Sequence, residues 1–171
     1  MPPDLSTPAR VVGISSAEGQ KMVRRFIWEI RSINASMEEL RQFRANVLGI
    51  TGSQWMILMA LADLDRENGV PVNVVSKLMR VESSFVTTQS KLLEKKGFLR
   101  RKSSTSDARV VQMSLTDKAH KHLASVATQQ EALDEFVFGE FGISDFNEFV
   151  SKLAAIRHRL EKARLKVAQE F

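Results

Sequence analysis

The chain has 171 residues, 43% of them apolar and 26% charged, enough to bury a core and too hydrophobic for a disordered composition. It has no cysteine, which excludes disulfides, thiolate nucleophiles and Cys-ligated zinc, and no apolar run of 18 residues that would span a membrane. The net charge is +5, but residues 80–109 alone carry eight cations against three carboxylates, whereas residues 128–148 carry six carboxylates and no Lys or Arg.

A basic segment this concentrated is the electrostatic footprint of a polyanion binder, with a merely solvated surface as the alternative.

The opening "MPPDLSTPAR" holds three of the four prolines and lacks the apolar middle of a signal peptide, so residues 1–17 read as a flexible tail on a cytoplasmic protein. From about 18 to 47, apolar groups recur at Val23, Phe26, Ile30, Ile33, Met37, Leu40 and Val47, predicting a long amphipathic helix that Gly49 ends. "TGSQWMILMALADL" predicts a second helix, with Thr51 or Ser53 as its N-cap and Trp55, Leu58 and Ala62 along one face. "ENGVPVN" breaks it, and Asn73 is placed to cap a short third helix, "VVSKLM". The turn "RVE" leads into a fourth helix, "SSFVTTQSKLLEKK", closed by Gly97.

Two β-rich runs follow, "FLRRK" and "RVVQMSL", and Thr116 or Asp117 caps a fifth helix reaching about Phe138. The last helix, after Ser144, places Phe146, Phe149, Leu153, Ile156, Leu160, Ala163 and Val167 at steps of three and four, a heptad seam. Both ends of the chain thus offer more apolar stripe than one small core consumes. A homodimer interface accounts for it; packing of the first helix on the last within one chain is the alternative.

The expected fold is mainly α, a winged helix-turn-helix with long N- and C-terminal dimerisation helices and a small β-hairpin wing. Residues 18–50 would form one dimerisation helix, 51–116 the DNA-binding domain and 117–171 the C-terminal dimerisation helices. The fourth helix is narrow enough for the major groove, about 12 Å wide. Val75, Met79, Val86 and Leu93 suit the core between the two short helices, and the small Ser76 lets them approach closely. Ser83, Ser84, Thr87, Thr88 and Lys91 then face DNA as hydrogen-bond donors to bases or phosphates.

"TGSQWMIL", the helix-turn-helix and "LLEKKGFLRRKSSTSDARVVQMSLTDKA" together resemble the MarR family of bacterial transcriptional regulators. The most specific elements are Glu94, Gly97, "FLRRK", Asp107-Ala108-Arg109, "VVQMS" and Leu115-Thr116. In architecture the resemblance covers roughly residues 20–168, with its sequence detail in 51–120. It implies a homodimer on double-stranded DNA and a small-molecule pocket between dimer helices and DNA-binding lobes. It also implies that Arg109 probes the minor groove, that Asp107 orients it by an ion pair, and that Arg101 and Lys102 contact phosphates.

Five departures from the family pattern stand out: Arg80 where glycine is frequent, Glu82 where a Ser or Thr cap is usual, polar Gln89 and Ser90 at usually apolar positions, and Ala119 where glycine is common. Lys91 is the recognition helix's one cation before its C-terminal end, which shifts charge onto the wing.

The resemblance implies an aromatic or phenolic carboxylate, or its coenzyme A thioester, as effector. Trp28, Met37, Phe43, Trp55 and Met59 would accept its ring, and Arg31, Arg41 or Arg44 its anionic group. An enzyme reading lacks support: His120 and His122 are two apart on a helix, His158 is remote, and no metal-binding or glycine-rich phosphate motif is present. No cofactor is expected. A ligand-responsive repressor on a pseudo-palindromic operator is the principal reading; an architectural DNA binder without effector and a purely helical scaffold are the alternatives.

Overall fold

The computed structural model describes residues 13–64 and 69–170. The tail expected over 1–17 falls mostly outside the described residues, as does the Asn68 portion of the expected turn. The chain divides into two compact units, one ending at Ala119 and one starting at His120.

In the first unit, helix α1 (Ala17–Val47) starts at Ser16, whose hydroxyl accepts from Gly19 N at 3.0 Å. It ends where Gly49 takes a φ of 62°, while the N–H of Ile50 closes on Ala45 O at 3.0 Å. Only Gly19 and Ala45 of α1 are buried. Its apolar stripe, including Ile33, Met37 and Leu40, stays exposed.

Helix α2 (Gly52–Leu64) opens with a reciprocal cap: Thr51 Oγ1 accepts from Gln54 N, and Gln54 Oε1 accepts from Thr51 N, both at 3.2 Å. Of the two expected caps, this selects Thr51. The helix does not bury one face, as expected, but most of its circumference, since Trp55, Ile57, Leu58, Ala60 and Leu61 are all buried. It is the central helix of the unit. Its amides tie neighbours together: Gly52 N donates to Gln42 Oε1 of α1 at 3.1 Å, and Gln54 Nε2 reaches helix α4 (Ser83–Lys95) at Gln89 Oε1, 3.0 Å away.

A strand that sequence reading missed, β1 (Val70–Pro71), joins the hairpin of β2 (Leu99–Ser103) and β3 (Val111–Leu115) in the order β1-β3-β2, all antiparallel. Two residues are too few to show alternation, so the wing is a three-stranded sheet where a hairpin was expected. Gly69 makes it possible. Its φ is +78°, and a Cβ there would lie 2.9 Å from Met113 O.

Helix α3 (Val72–Met79) begins two residues earlier than expected. Its N-cap is Pro71, with no side-chain cap bond, so Asn73 lies inside the helix and is not its cap. The fixed φ of proline suits a helix entry.

The core lies where α2, α3, α4 and the sheet meet, with Ile57, Leu58, Val75, Val86, Leu93 and Met113 all at 0% exposure. Each such side chain contributes about 1.5–3 kcal/mol on burial. Met79 is only partly buried. Ser90, polar at a core position, is also fully buried and donates to Thr87 O at 3.0 Å, so its desolvation is compensated. Among the described residues no single helix is long and apolar enough to cross a membrane.

Helix α5 (Asp117–Phe138) is capped by Thr116, whose Oγ1 accepts from Ala119 N at 3.2 Å and donates to Gly97 O at 2.7 Å. Beyond Ala119 it enters the second unit, where Gly139–Gly142 turn the chain into helix α6 (Ile143–Glu170). That helix starts ahead of the expected Ser144 boundary, because Gly142 O accepts from Phe146 N at 2.9 Å. Phe138, Phe141, Phe146 and Phe149 gather at this corner with ring centroids 5.2–6.4 Å apart. Along the seam, Phe146 and Leu153 are partly buried, whereas Phe149, Ile156, Leu160, Ala163 and Val167 are exposed in the chain.

Candidate nucleic-acid interface

Helices α3 and α4 meet through a tight turn in which Arg80 adopts φ 56°, ψ 43° and Val81 N bonds to Ser76 O at 3.0 Å. This left-handed conformation is natural to glycine and strained for arginine. Glu82 caps α4 through its carbonyl only, accepting from Phe85 N at 3.1 Å and Val86 N at 3.3 Å.

The buried Ser76 faces Ser83 across the helix pair, Oγ to Oγ 2.9 Å, while donating its own proton to Asn73 O at 3.1 Å. A hydroxyl has one proton. Ser83 must therefore be the donor to Ser76, and outward it can only accept. Thr88 is committed in the same way, since its Oγ1 donates to Ser84 O at 3.1 Å. The expectation that all four hydroxyls act as donors thus contracts to Ser84 and Thr87. Helical spacing sorts the set into two rows: Ser84, Thr88 and Lys91 on an exposed face, Ser83 and the partly buried Thr87 on a row turned toward the wing.

In the sheet, Arg101 pairs with the fully buried Met113, Lys102 with Gln112, and Arg100 with Ser114. Because cross-strand partners share a face, Arg101 lies on the inner side and Lys102 and Arg100 on the outer. The two residues expected to flank the tip together are separated. Arg101 joins Ser83, Thr87 and Arg109 around a hollow of about 310 Å³, backed by Val72, Val110 and Val111. Lys102 lines a different depression with Gly69 and Gln112.

At the tip, Asp107 Oδ1 accepts from Arg109 N at 3.0 Å and from Arg109 Nε at 3.3 Å. The guanidinium is held at its base and otherwise 93% exposed. The base of the wing is fastened by a group whose role sequence reasoning missed: Glu94 Oε1 accepts from Arg101 N at 2.9 Å, joining the end of α4 to β2. Only its recurrence in the motif signalled it. Nearby, Lys118 Nζ donates to Lys96 O at 2.9 Å and lies 4.3 Å from the Phe98 ring centroid.

The residues expected to accept an effector are not brought together in the chain. Trp55 is core, 4% exposed, and Met59 is partly buried beside it on α2. Trp28, Met37 and Phe43 stand exposed on α1, the first and last about 22 Å apart along the helix axis. Arg31 lies over the Trp28 ring at 5.6 Å, Arg41 pairs with Glu38 at 2.8 Å, and Arg44 is partly buried. Among the described residues no group of three or more His, Cys, Asp or Glu could hold a metal ion.

Two short helices joined by a tight turn, the second of them in the place of a recognition helix, and a three-stranded basic wing define a winged helix-turn-helix. The sequence model of the MarR family matches residues 50–111, the same segment. The winged helix-turn-helix of this chain is similar to that of the MarR family.

Over 85 residues the chain is 32% identical to the HTH-type transcriptional repressor MdtR of Bacillus subtilis, a match spanning 50% of this chain and 53% of that relative, so about half the length of the relative is matched. Among solved structures, a MarR protein from Peptoclostridium difficile superposes with a TM-score of 0.69 at 15% identity, covering 96% of this chain and 99% of that one. MepR of S. aureus, solved as a DNA complex, superposes with a TM-score of 0.68 at 16% identity, covering 78% and 97%. MdtR is a transcriptional repressor by description.

Proposed function

We propose that the protein is a transcriptional repressor acting in the cytoplasm, which binds a pseudo-palindromic operator as a homodimer and leaves it on binding a small aromatic carboxylate or the corresponding coenzyme A thioester. The observation that carries the DNA reading is the convergence of the α4 row Ser83 and Thr87 with Arg101 and Arg109 of the wing on one side of the first unit. Arg109, ion-paired at its base and exposed beyond it, suits a minor-groove probe, where a cation senses width and negative potential. Thr87 and Ser84 supply donors, Thr88 and Ser83 acceptors, and Lys91 and Lys102 phosphate contacts. That MdtR is a repressor and that MepR was solved on DNA support the reading.

The dimer reading is supported by exposed apolar stripes on both terminal helices, α1 and α6, which make 18–50 and 117–171 dimerisation segments flanking the DNA-binding residues 51–116. The seam Phe146–Phe149–Leu153–Ile156–Leu160–Ala163–Val167 supplies the contact. Trp28, Met37 and Phe43, exposed in one chain, become pocket walls once a second copy covers them, with Arg31, Arg41 and Arg44 available to the anion. The effector favours a spacing of recognition helices that misses successive major grooves. A coupling of about 1–3 kcal/mol lowers operator affinity ~5–150-fold.

The test selects a binding site from random duplexes, then titrates wild type, Arg109→Ala and Thr87→Ala on it. Arg109→Ala is expected to weaken binding to all duplexes and to shallow its salt dependence; Thr87→Ala is expected chiefly to alter sequence preference. Enrichment of no site, with sequence-independent protection, would favour an architectural binder. Failure of every aromatic acid and thioester to dissociate the complex removes the effector half.

A further inference from the structure

Four consecutive hydroxyl residues, Ser103, Ser104, Thr105 and Ser106, form the wing tip directly after three cations, Arg100, Arg101 and Lys102. Two of the four hold the loop together. Ser104 Oγ lies 2.9 Å from Ser106 Oγ and accepts from Ser106 N at 3.3 Å, while Ser104 N donates to Val110 O at 2.8 Å. Ser103 and Thr105 are exposed, and among the described residues their hydroxyls bond to no protein group.

The strand that leads into them is an edge. In the order β1-β3-β2, one side of β2 has no strand beside it; Glu94 occupies that side at Arg101 N, so the open stretch is residues 102–106. An open, extended edge is the form in which a protein groove takes a segment, by pairing with it as a strand. Arg100 and Lys102 stand exposed on the outer face, three residues and one residue before Ser103.

An accessible hydroxyl on an extended segment, with cations just before it, is complementary to the acidic substrate groove of a Ser/Thr kinase. We infer that the wing tip is a phosphorylation site, with Ser103 as acceptor and the preceding cations, Arg100 foremost, as its recognition signal. Ser103 Oγ attacks the γ-phosphorus of a nucleoside triphosphate. The Oγ–P bond forms as the bond to the β,γ-bridging oxygen breaks, a nucleoside diphosphate leaves, and the hydroxyl proton passes to a carboxylate of the kinase.

The consequence is electrostatic. Residues 100–109 carry four cations and one carboxylate, a net of +3. A phosphoserine adds about −1.5 to −2, which cancels half or more of that charge. Ser103 pairs with Val111 and lies two residues from Arg101, so the phosphate arises among the wing cations. It offers them a dianion within the chain and repels the DNA backbone. The site is thus a switch on the wing's affinity, and its regulatory half rests on the DNA-binding reading above.

The test incubates full-length protein with magnesium ATP and a purified Ser/Thr kinase that selects arginine three residues before the acceptor. Mass mapping is expected to place phosphate on Ser103. Ser103→Ala abolishes it and binds the selected duplex like unmodified wild type. Arg100→Gln lowers kcat/KM for transfer about tenfold, the worth of one charge-assisted contact, with thermal melts to confirm folding. The phosphoprotein is expected to bind duplex about tenfold more weakly or worse, with a salt slope shallower by about 0.9 for each cation withdrawn. Phosphatase treatment restores both.

No transfer, transfer elsewhere than Ser103, or transfer indifferent to Arg100→Gln overturns the site. Phosphate on Ser103 that leaves duplex affinity unchanged overturns the switch. Unmodified protein that binds no duplex, yet takes phosphate at Ser103, would sink the DNA reading and keep the site.

Discussion

Gly69 and Gly97 form a natural experiment in backbone strain. Their φ angles are +78° and +75°, so an alanine at either must adopt the left-handed region, yet their surroundings differ. At Gly97 the nearest atom to a new Cβ is Lys118 Cδ at 4.0 Å, the flexible end of a side chain. At Gly69 it is Met113 O at 2.9 Å, followed by Met113 C at 3.3 Å, and Met113 is the β3 partner of Val70.

The conformational cost is about 1–2 kcal/mol in each case. About 0.4–1 kcal/mol of it is offset because alanine restricts the unfolded chain. Gly97→Ala should therefore lose about 1 kcal/mol. Gly69→Ala must also displace a paired backbone carbonyl, and one or two weakened ladder bonds at about 0.5–1.5 kcal/mol each bring its loss to about 2–3 kcal/mol.

Urea unfolding followed by circular dichroism measures both. At about 2–4 °C per kcal/mol, melting temperatures should fall by a few degrees for Gly97→Ala and about 4–12 °C for Gly69→Ala. Amide exchange at the β1–β3 pair should quicken only in the second. Equal losses at the two positions would show that the close approach of Gly69 to β3 is immaterial, and the reasoning would fail.

Arg80→Gly relieves the φ of 56° and should raise stability by about 0.5–1 kcal/mol in the same assay, whereas Arg80→Ala should gain nothing; an equal gain from alanine would refute strain as the cause. In α6, the Lys152 ammonium hydrogen-bonds Glu148 and holds its carboxyl below the ordinary carboxylate range. A depressed folded value means the pair's contribution is present above the unfolded pKa and is lost as pH falls through the folded one. Carboxyl ¹³C titration should show the low midpoint, and Lys152→Met should raise it. Leu160→Asp, at a seam position 64% exposed in the chain, should leave the fold intact and shift sedimentation toward monomer; an unaltered oligomer would remove α6 from the interface.

Periodicity and punctuation made most of the helices legible. The 3–4 steps of α1 and α6 and the glycines at 49 and 97 are strong local signals. β1 was hidden because its two residues pair with a strand more than 40 positions away, and only that distant partner gives Val70–Pro71 a ladder. Asn73 looked like a cap because asparagine favours that role, but Pro71 already supplied the entry geometry.

At the site, residue types were readable and roles were not. Which hydroxyl donates depends on where its proton already goes, as Ser83 and Thr88 illustrate. The division of Arg101 from Lys102 follows from register, which alternation hinted at but could not anchor without Met113. The polar Gln89 and Ser90, anomalous in sequence, are explained by partners that only folding supplies.

Gln54 has one further consequence. Its oxygen closes the cap of α2 on Thr51, and its nitrogen grips Gln89 in the recognition helix, two residues past Thr87. One residue pair upstream, Gln42 of α1 holds the first amide of α2. Three glutamine side chains thus form a continuous mechanical linkage from the long N-terminal helix to the element that would read DNA, running through the first turn of α2. The first turn of α2 is thus the joint at which the long N-terminal helix and the middle of α4 are both anchored by hydrogen bonds.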